Sequence, residues 1–259
     1  TIDRVFHVLP GARLDLKDLT ILGGSAVRGG GILSQGFVTT ENVVIRDNVA
    51  DLGAGILNDL VRSVLSAAID ATQTMITVSN PSLFPATGSF DIRIGNESLE
   101  VTAVDSAGNF TVIRGENASA AVMNSNVTLD KTMTLTDTRI TNNAARLRGG
   151  GIFNRDELSL ERVTLSGNTS NSQGGGLFNQ SAVAQSVMIV DSTFDANVAA
   201  VSGGAIYNSG IGGNETSRIS ITGSTLSNNR AGVQGGGLYN SDFVTVLNST
   251  FSGNAAGSN

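Results

Sequence analysis

The stretch Gly149-Gly150-Gly151-Ile152-Phe153-Asn154 decides the fold, because the chain repeats it along most of its length. Each copy has small residues first, then a branched apolar residue, a variable residue and a polar residue. The other copies are 29–34, 53–58, 174–179, 203–208 and 235–240. Self-similarity of this kind is the signature of a repeat architecture in which each unit stacks on the next. The motif therefore predicts a solenoid.

A second motif accompanies the first. It consists of an apolar residue, two small or polar residues, and then asparagine. Its asparagines are Asn48, Asn143, Asn168, Asn197, Asn229 and Asn254. Counting back ten and eight residues from them, and from Gly24 in a degenerate first copy, gives two columns that are almost entirely apolar. They are Leu14, Val38, Met133, Leu158, Val187, Ile219 and Val244, and Leu16, Thr40, Leu135, Leu160, Ile189, Ile221 and Val246. Apolar positions two residues apart predict a strand with one buried face.

These coils of 25 to 32 residues contain strand signals and no helical period. A coil this short buries its apolar face only by stacking on its neighbours. We therefore expect an all-β, single-stranded parallel β-helix of about seven coils. The repeated asparagine is expected inside a tight corner, bonded to the backbone and to the asparagines above and below. The glycines are expected where the backbone needs a positive φ.

The repeat is interrupted once, between Asn58 and Met133. This segment holds alternating runs such as 90–94 and 99–101, separated by turn signals such as Asn80-Pro81 and Gly95-Asn96. We expect a small antiparallel β module inserted into the helix. The predicted domains are 1–58 and 132–259, which form the N- and C-terminal coils of one β-helix, and 59–131, the insert.

Composition excludes several classes of function. Cysteine is absent, so there is no disulfide framework or thiolate metal site. The net charge is −6 with no basic run, which argues against nucleic acid as a partner. No apolar run is long enough to insert into a membrane. We expect no cofactor and no metal, because no calcium-loop motif occurs. Few charges and much Gly, Asn, Ser and Thr are typical of an extracellular or cell-surface protein that is secreted.

The paired motifs resemble the repeats of polymorphic outer-membrane proteins. The resemblance covers Leu14 to Asn58 and Met133 to Asn254. It implies a β-helix of a bacterial cell surface, used for adhesion, display or assembly. The insert is similar to small β modules of phage-tail-like and surface proteins. A shared fold does not by itself decide the function.

One set of charged residues allows an enzymatic alternative. Asp137, Arg162 and Asp191 occupy the same position in three successive coils, six residues before the asparagine. Stacked carboxylates with an arginine are what a glycosidase or polysaccharide lyase would use as acid and base. A charge ladder that avoids like-charge contacts between coils explains the same pattern, and we favour that explanation.

Two further sets are candidates for interaction. The variable residue of the first motif gives Phe153, Phe178, Tyr207 and Tyr239, with Leu33 and Leu57 before them. An exposed aromatic column stacks on sugars or on another subunit, whereas a covered one is core. The terminal coils contribute Leu14, Leu16, Val244, Val246 and Phe251, which an uncapped parallel coil would offer to a second copy.

The sequence therefore favours a non-enzymatic structural protein with two modes of action. The rod assembles end to end into filaments, or it displays the insert as an adhesive lateral module. Its expected partners are other copies of itself, stacked head to tail, or host or neighbouring surface glycans and proteins. The alternative is a carbohydrate-active β-helix or a glycan-binding adhesin fragment.

Overall fold

The computed structural model describes residues 3–115, 118–180, 186–210 and 217–257. The chain forms two compact units. The first comprises Thr1–Val8, Arg13–Asp59 and Thr132–Asn259, and the second comprises Leu9–Ala12 and Leu60–Lys131. The described residues contain no α-helix; their only helical element is a 3₁₀ turn at Pro81–Leu83.

The first unit is a parallel β-helix, which confirms the predicted fold class. Each coil crosses four sheets, A to D, and each sheet has seven strands. Sheet A contains Phe6–Val8, Ile32–Ser34, Ile56–Asn58, Ile152–Asn154, Leu177–Asn179, Ile206–Asn208 and Leu238–Asn240. Sheet B contains Arg13–Lys17, Phe37–Glu41, Thr132–Thr136, Glu157–Glu161, Ser186–Val190, Arg218–Thr222 and Phe243–Leu247. Sheet C contains Thr20–Leu22, Val44–Arg46, Arg139–Thr141, Thr164–Ser166, Thr193–Asp195, Thr225–Ser227 and Thr250–Ser252. Sheet D contains Ser25–Arg28, Val49–Leu52, Ala144–Arg148, Thr169–Ser170, Val198–Ala199, Arg230–Ala231 and Ala255–Ala256.

The register keeps equivalent residues directly above one another. In sheet B, Leu160 pairs with Leu135 on one side and with Ile189 on the other. Leu158 and Val187 pair in the neighbouring apolar column. Both columns face the core, where Leu158, Leu160 and Ile189 are almost fully buried. The insertion after Asp59 does not shift this register, since Leu135 still pairs with Thr40.

Residues in the left-handed backbone region turn the chain between sheets. At the corner from sheet D to sheet A, this residue is the first glycine of the motif, for example Gly149 with φ of 66°. Glycine suits this position because it has no Cβ to clash with the following carbonyl. At the other two left-handed corners the chain uses mainly Asp, Asn and Gly. They are Asp18, Asn42, Asp137, Arg162, Asp191, Gly223 and Asn248 between B and C, and Gly23, Asp47, Asn142, Gly167, Ala196, Asn228 and Gly253 between C and D.

A ladder of buried asparagine amides runs along the corner between sheets C and D. Its members are Asn48, Asn143, Asn168, Asn197, Asn229 and Asn254. Asn168 shows the pattern. Its Nδ2 donates to Oδ1 of Asn197 at 3.0 Å and to the carbonyl of Ile140 at 2.8 Å, while its Oδ1 accepts the backbone N–H of Asn143 at 3.1 Å. Asn168 therefore links three coils, whereas Asn254 in the last described coil bonds only to Asn229 and Leu226 of the coil before it.

A second amide ladder runs along sheet A, at the last position of the first motif. It joins Asn58, Asn154, Asn179, Asn208 and Asn240, with Nδ2 to Oδ1 distances of 2.8 to 2.9 Å. A shorter hydroxyl ladder follows the corner between sheets B and C, where Ser192 and Ser224 accept backbone N–H groups of the preceding coil at 3.0 Å. The buried side chains of these ladders are thus bonded along the stack, as burial requires.

The second unit is built on one antiparallel sheet of six strands. In spatial order they are Arg62–Val64, Asn126–Leu129, Phe90–Ile94, Glu97–Val104, Asn109–Ile113 and Met75–Thr77. Phe84, Phe90 and Phe110 pack edge to face or stacked in its core. A buried ion pair lies at the start of the interior strand Glu97–Val104: Arg114 donates to both oxygens of Glu97 at 2.7 and 2.8 Å. Arg114 also donates to the backbone carbonyl of Ser119 at 2.8 Å.

Candidate functional site

The three residues of the enzymatic alternative lie together at the corner between sheets B and C. Asp137, Arg162 and Asp191 have φ values of 48°, 52° and 48°, and all three are exposed. Asp, like Asn and Gly, tolerates the left-handed region better than other residues. Backbone geometry therefore accounts for both aspartates at this corner. It does not account for Arg162.

Arg162 is explained by its ion pair with Asp137. Nε of Arg162 donates to Oδ1 of Asp137 at 2.8 Å, and Nη2 donates to Oδ2 at 2.9 Å. Arg162 also pairs with Glu161. These hydrogen bonds from Arg162 hold the pKa of Asp137 below its usual value and raise the pKa of Arg162. A general acid working near neutral pH needs a raised pKa instead, so Asp137 is set up as an ionised partner of Arg162.

Asp191 caps the next coil. Its Oδ1 occupies the space where a side chain at Gly223, the residue above it, would begin. Asn142 and Asn228 do the same over Gly167 and Gly253 at the corner between sheets C and D. The structure thus brings Asp137 and Arg162 into contact and gives Asp191 a packing role one coil away. The catalytic role of the three remains a prediction.

The aromatic column of sheet A forms a stacked ladder. The ring centroids of Phe153, Phe178, Tyr207 and Tyr239 are 4.9, 5.0 and 4.7 Å apart, and successive planes differ by 10° or less. Leu33, Leu57, Phe153 and Phe178 are buried in a cluster of their own, against which Leu52 packs. The guanidinium of Arg148 lies 5.2 Å from the Phe178 ring. Tyr207 and Tyr239 are half-buried.

This stacking limits what the column can bind. Sugars stack on the faces of aromatic rings. Here each ring face between Phe153 and Tyr239 lies against the ring of the neighbouring coil, so within the ladder only the ring edges are free for contact. The column is therefore mainly a second, smaller core on the outer side of sheet A.

The residues proposed for end-to-end contact differ in exposure. Leu16 is buried, and Leu14 and Val244 pack against the main core. Val246 and Phe251 are 40% and 42% exposed. Their equivalents in the preceding coil, Ile221 and Leu226, are fully buried. Val246 and Phe251 are exposed because they face the core side of the last described coil.

The outer surface of sheet B carries features that the sequence analysis did not single out. Its five-residue strands present three side chains outward in each coil. A shallow groove of about 330 Å³ lies at one end, lined by Asp15, Lys17, Thr39, Glu41, Thr134 and Thr136 together with Leu16 and Thr40. A second, of about 340 Å³, lies near the other end, lined by Met188, Arg218, Ser220, Phe243 and Thr245 together with Val187, Ile219 and Val244. The period of two in the strands, read for its outward positions, is the signal that would have found these residues.

No group of three or more His, Asp or Glu residues suited to a metal ion occurs in the part of the chain that the structure describes. Within the same ranges, no helix has the length and apolar character needed to cross a membrane.

Comparison with known proteins supports the repeat assignment. The repeat of the Chlamydia polymorphic membrane protein matches residues 162–180, 191–209 and 223–241. This confirms the predicted resemblance for three coils. Each matched segment begins at the corner between sheets B and C and ends at or just beyond the asparagine of sheet A.

No curated protein matches the chain significantly. Among solved structures, the chain is similar to the Gp54 tailspike of Acinetobacter baumannii bacteriophage AP22, determined in complex with A. baumannii capsular saccharide. The identity is 10%, the TM-score is 0.28, and the match covers 93% of this chain. This chain spans about half, 53%, of the tailspike chain.

Proposed function

We propose that the protein is a non-enzymatic structural protein of a bacterial cell surface, in which the β-helix is a rigid support and the inserted module is displayed for adhesion. The observation that carries this proposal is the pair of buried amide ladders. They occupy the same two positions in coil after coil and bond every coil to the next. The match to a membrane-protein repeat supports the surface location.

A deletion of the insert tests the display role. In three of the other coils, sheets A and B are joined by only two residues, for example Arg155 and Asp156 between Asn154 and Glu157. Replacing 59–131 with that dipeptide should keep the β-helix folded, because Asn58 and Thr132 then meet as their equivalents do. Beads coated with the full chain should adhere to cells, and beads coated with the deletion variant should not. Equal adhesion by both proteins would exclude the insert as the adhesive element.

End-to-end assembly is the second mode of this structural function. Val246 and Phe251 expose apolar surface at one end of the stack, and a second copy would cover it through a head-to-tail interface. Seven coils at about 4.8 Å each predict filaments with an axial repeat of roughly 34 Å or more. Negative-stain electron microscopy across a concentration series should show such filaments, and the variant Phe251→Lys should abolish them. Monodisperse particles of the unmodified protein at every concentration would argue against assembly.

The carbohydrate-active alternative is favoured by one observation, the contact of Asp137 with Arg162 one coil away from Asp191. Under this alternative, purified protein shortens acidic or neutral polysaccharides, and Asp137→Asn with Asp191→Asn abolishes the shortening. Under the structural proposal, the double variant adheres and assembles like the unmodified chain. Size-exclusion chromatography of the polysaccharides after incubation with the protein distinguishes the carbohydrate-active alternative from the structural proposal.

A further inference from the structure

We infer that the outer surface of sheet B near Arg218 and Phe243 is a binding site for a saccharide that carries a carboxylate, such as a uronic acid. The site consists of Met188, Arg218, Ser220, Phe243 and Thr245. It goes beyond the structural role proposed above and gives the glycan-binding alternative a definite place.

Arg218 differs from Arg13 and Lys17, the cations at the other end of this face. On the same face of sheet B, Arg13 binds Asp15 at 2.8 Å and Lys17 binds Glu41 at 2.8 Å. Among the described residues, no carboxylate lies within ion-pair distance of Arg218. Its guanidinium instead lies 5.1 Å from the centre of the Phe243 ring. Stacking on the ring leaves the planar edge of the guanidinium to bind a carboxylate through two parallel hydrogen bonds.

Exposed apolar surface lies beside this cation. Phe243 is 55% exposed and Met188 is 51% exposed. The inward residues of the same strands, Val187 and Ile219, are buried, so the strand alternation itself directs Met188 and Arg218 outward. A pyranose ring has an apolar face that packs on such a surface.

Two hydroxyls, of Ser220 and Thr245, complete the floor of the groove in the same column as Met188. Met188, Ser220 and Thr245 pair in register across three successive coils. They are therefore spaced by about 4.8 Å, close to the length of one sugar unit. Arg218 pairs with Phe243 in the adjacent outward column. Apolar contact, hydroxyl donors and a single cation within one groove match a sugar ring that bears a carboxylate.

Charge along the sheet favours an anion only at this end. The groove at the other end of sheet B is lined by Asp15 and Glu41 as well as Lys17. None of the described residues that line the groove at Arg218 is acidic. Because the whole chain has a net charge of −6, long-range repulsion opposes an anion, but it is screened beyond about 8 Å at physiological salt.

The test is titration calorimetry of the full chain with a hexamer of galacturonic acid and with its fully methyl-esterified form. We expect the acid to bind in 0.15 M salt and the ester to bind at least about tenfold more weakly, since a charge-assisted bidentate contact is lost. Arg218→Gln should weaken binding of the acid about tenfold or more and leave binding of the ester unchanged. Arg218→Lys should recover only part of the loss, and Phe243→Ala should weaken both ligands. Arg139→Gln, which removes an exposed cation from sheet C, is the matched control and should bind like the unmodified chain.

The inference would be overturned by no binding of the acid at roughly 1 mM, by equal binding of acid and ester, or by equal loss of binding in Arg139→Gln and Arg218→Gln. Binding of poly-glutamate as tight as that of the hexamer would also overturn it, because the site would then recognise carboxylates without the sugar. Tyrosine fluorescence of each variant verifies the fold. Failure here leaves the support role untouched, since that role is tested by the deletion of the insert.

Discussion

Replacing Asn168 with alanine should destabilise the β-helix strongly. Asn168 is fully buried in the middle of the first amide ladder. The substitution removes four hydrogen bonds. Two are donated by Nδ2, to Asn197 and to the carbonyl of Ile140, and two are accepted by Oδ1, from the backbone and the side chain of Asn143. It also leaves the buried backbone N–H of Asn143 without its acceptor.

The size of the expected loss in free energy of unfolding follows from these hydrogen bonds. A net hydrogen bond contributes about 1 kcal/mol, and a buried donor left unpaired costs about 1–3 kcal/mol. Since the bonds form one network and are not additive, we expect the free energy of unfolding to fall by about 3–5 kcal/mol. This is a large part of the about 5–15 kcal/mol of a typical domain. Asn171→Ala is the matched control, because Asn171 lies in the same coil and is exposed. It should change the free energy by less than about 0.5 kcal/mol.

Urea unfolding followed by tyrosine fluorescence measures this loss of stability in the β-helix itself. The chain has two tyrosines and no tryptophan, and both tyrosines, Tyr207 and Tyr239, are stacked within the β-helix. The signal is therefore not mixed with unfolding of the insert. A loss below about 1 kcal/mol for Asn168→Ala would refute the reasoning, provided that the slope of the free energy of unfolding against urea concentration is unchanged. It would mean that packing of the apolar columns holds the coils together without the ladder.

Three further predictions concern other parts of the molecule. Glu97→Gln should destabilise the insert by about 2–4 kcal/mol, because Arg114 then lacks its buried partner; amide hydrogen exchange of the strand Glu97–Val104 measures it, and unchanged exchange would contradict it. In the unmodified chain, hydrogen bonds from Arg114 lower the pKa of Glu97 from 4.5, so the stabilisation is present above that pH and is lost as the pH falls through the lower folded value. Gly149→Ala should cost about 1–3 kcal/mol in urea unfolding, because φ is 66° and a Cβ would lie 2.5 Å from the carbonyl oxygen of Ile152. Arg162→Gln should leave the unfolding midpoint nearly unchanged, because its ion pairs are exposed and screened by salt; a marked fall would show that the corner depends on them.

The stacking of coils was predictable from the sequence because it depends on residues at constant spacing. Residues at the same distance before the asparagines pair with one another in sheet B, as Leu135, Leu160 and Ile189 show. A parallel β-helix needs equivalent residues in register, so the repeat itself carries that information. The same reasoning, applied to the last residue of the first motif, would have found the second ladder through Asn154 and Asn179.

The corners were harder to predict, because the relevant property is a backbone conformation. The column of Asp137, Arg162 and Asp191 attracts attention for its charges. The same column contains Asn42, Gly223 and Asn248 in other coils, and Asp, Asn and Gly share only a tolerance of the left-handed region. Reading the column over all coils therefore points to a turn. Whether the aromatic column was covered could not be predicted, because Leu52 and Arg148, which lie against it, come from sheet D.

Comparison between coils also indicates where function lies. A residue that recurs in most coils, such as the ladder asparagines, stabilises the stack along its length and distinguishes no single place along it. A binding site at one place needs outward residues that differ between coils. The first outward column of sheet B meets this condition: among the residues whose side chains are described, it reads Arg13, Phe37, Thr132, Glu157, Arg218 and Phe243. In this column a cation and an aromatic ring are adjacent only at Arg218 and Phe243 and at Arg13 and Phe37, and Arg13 is already bound by Asp15. Variation within an otherwise regular repeat thus selects the Arg218 end of sheet B as the part of the β-helix whose side chains are not explained by stacking.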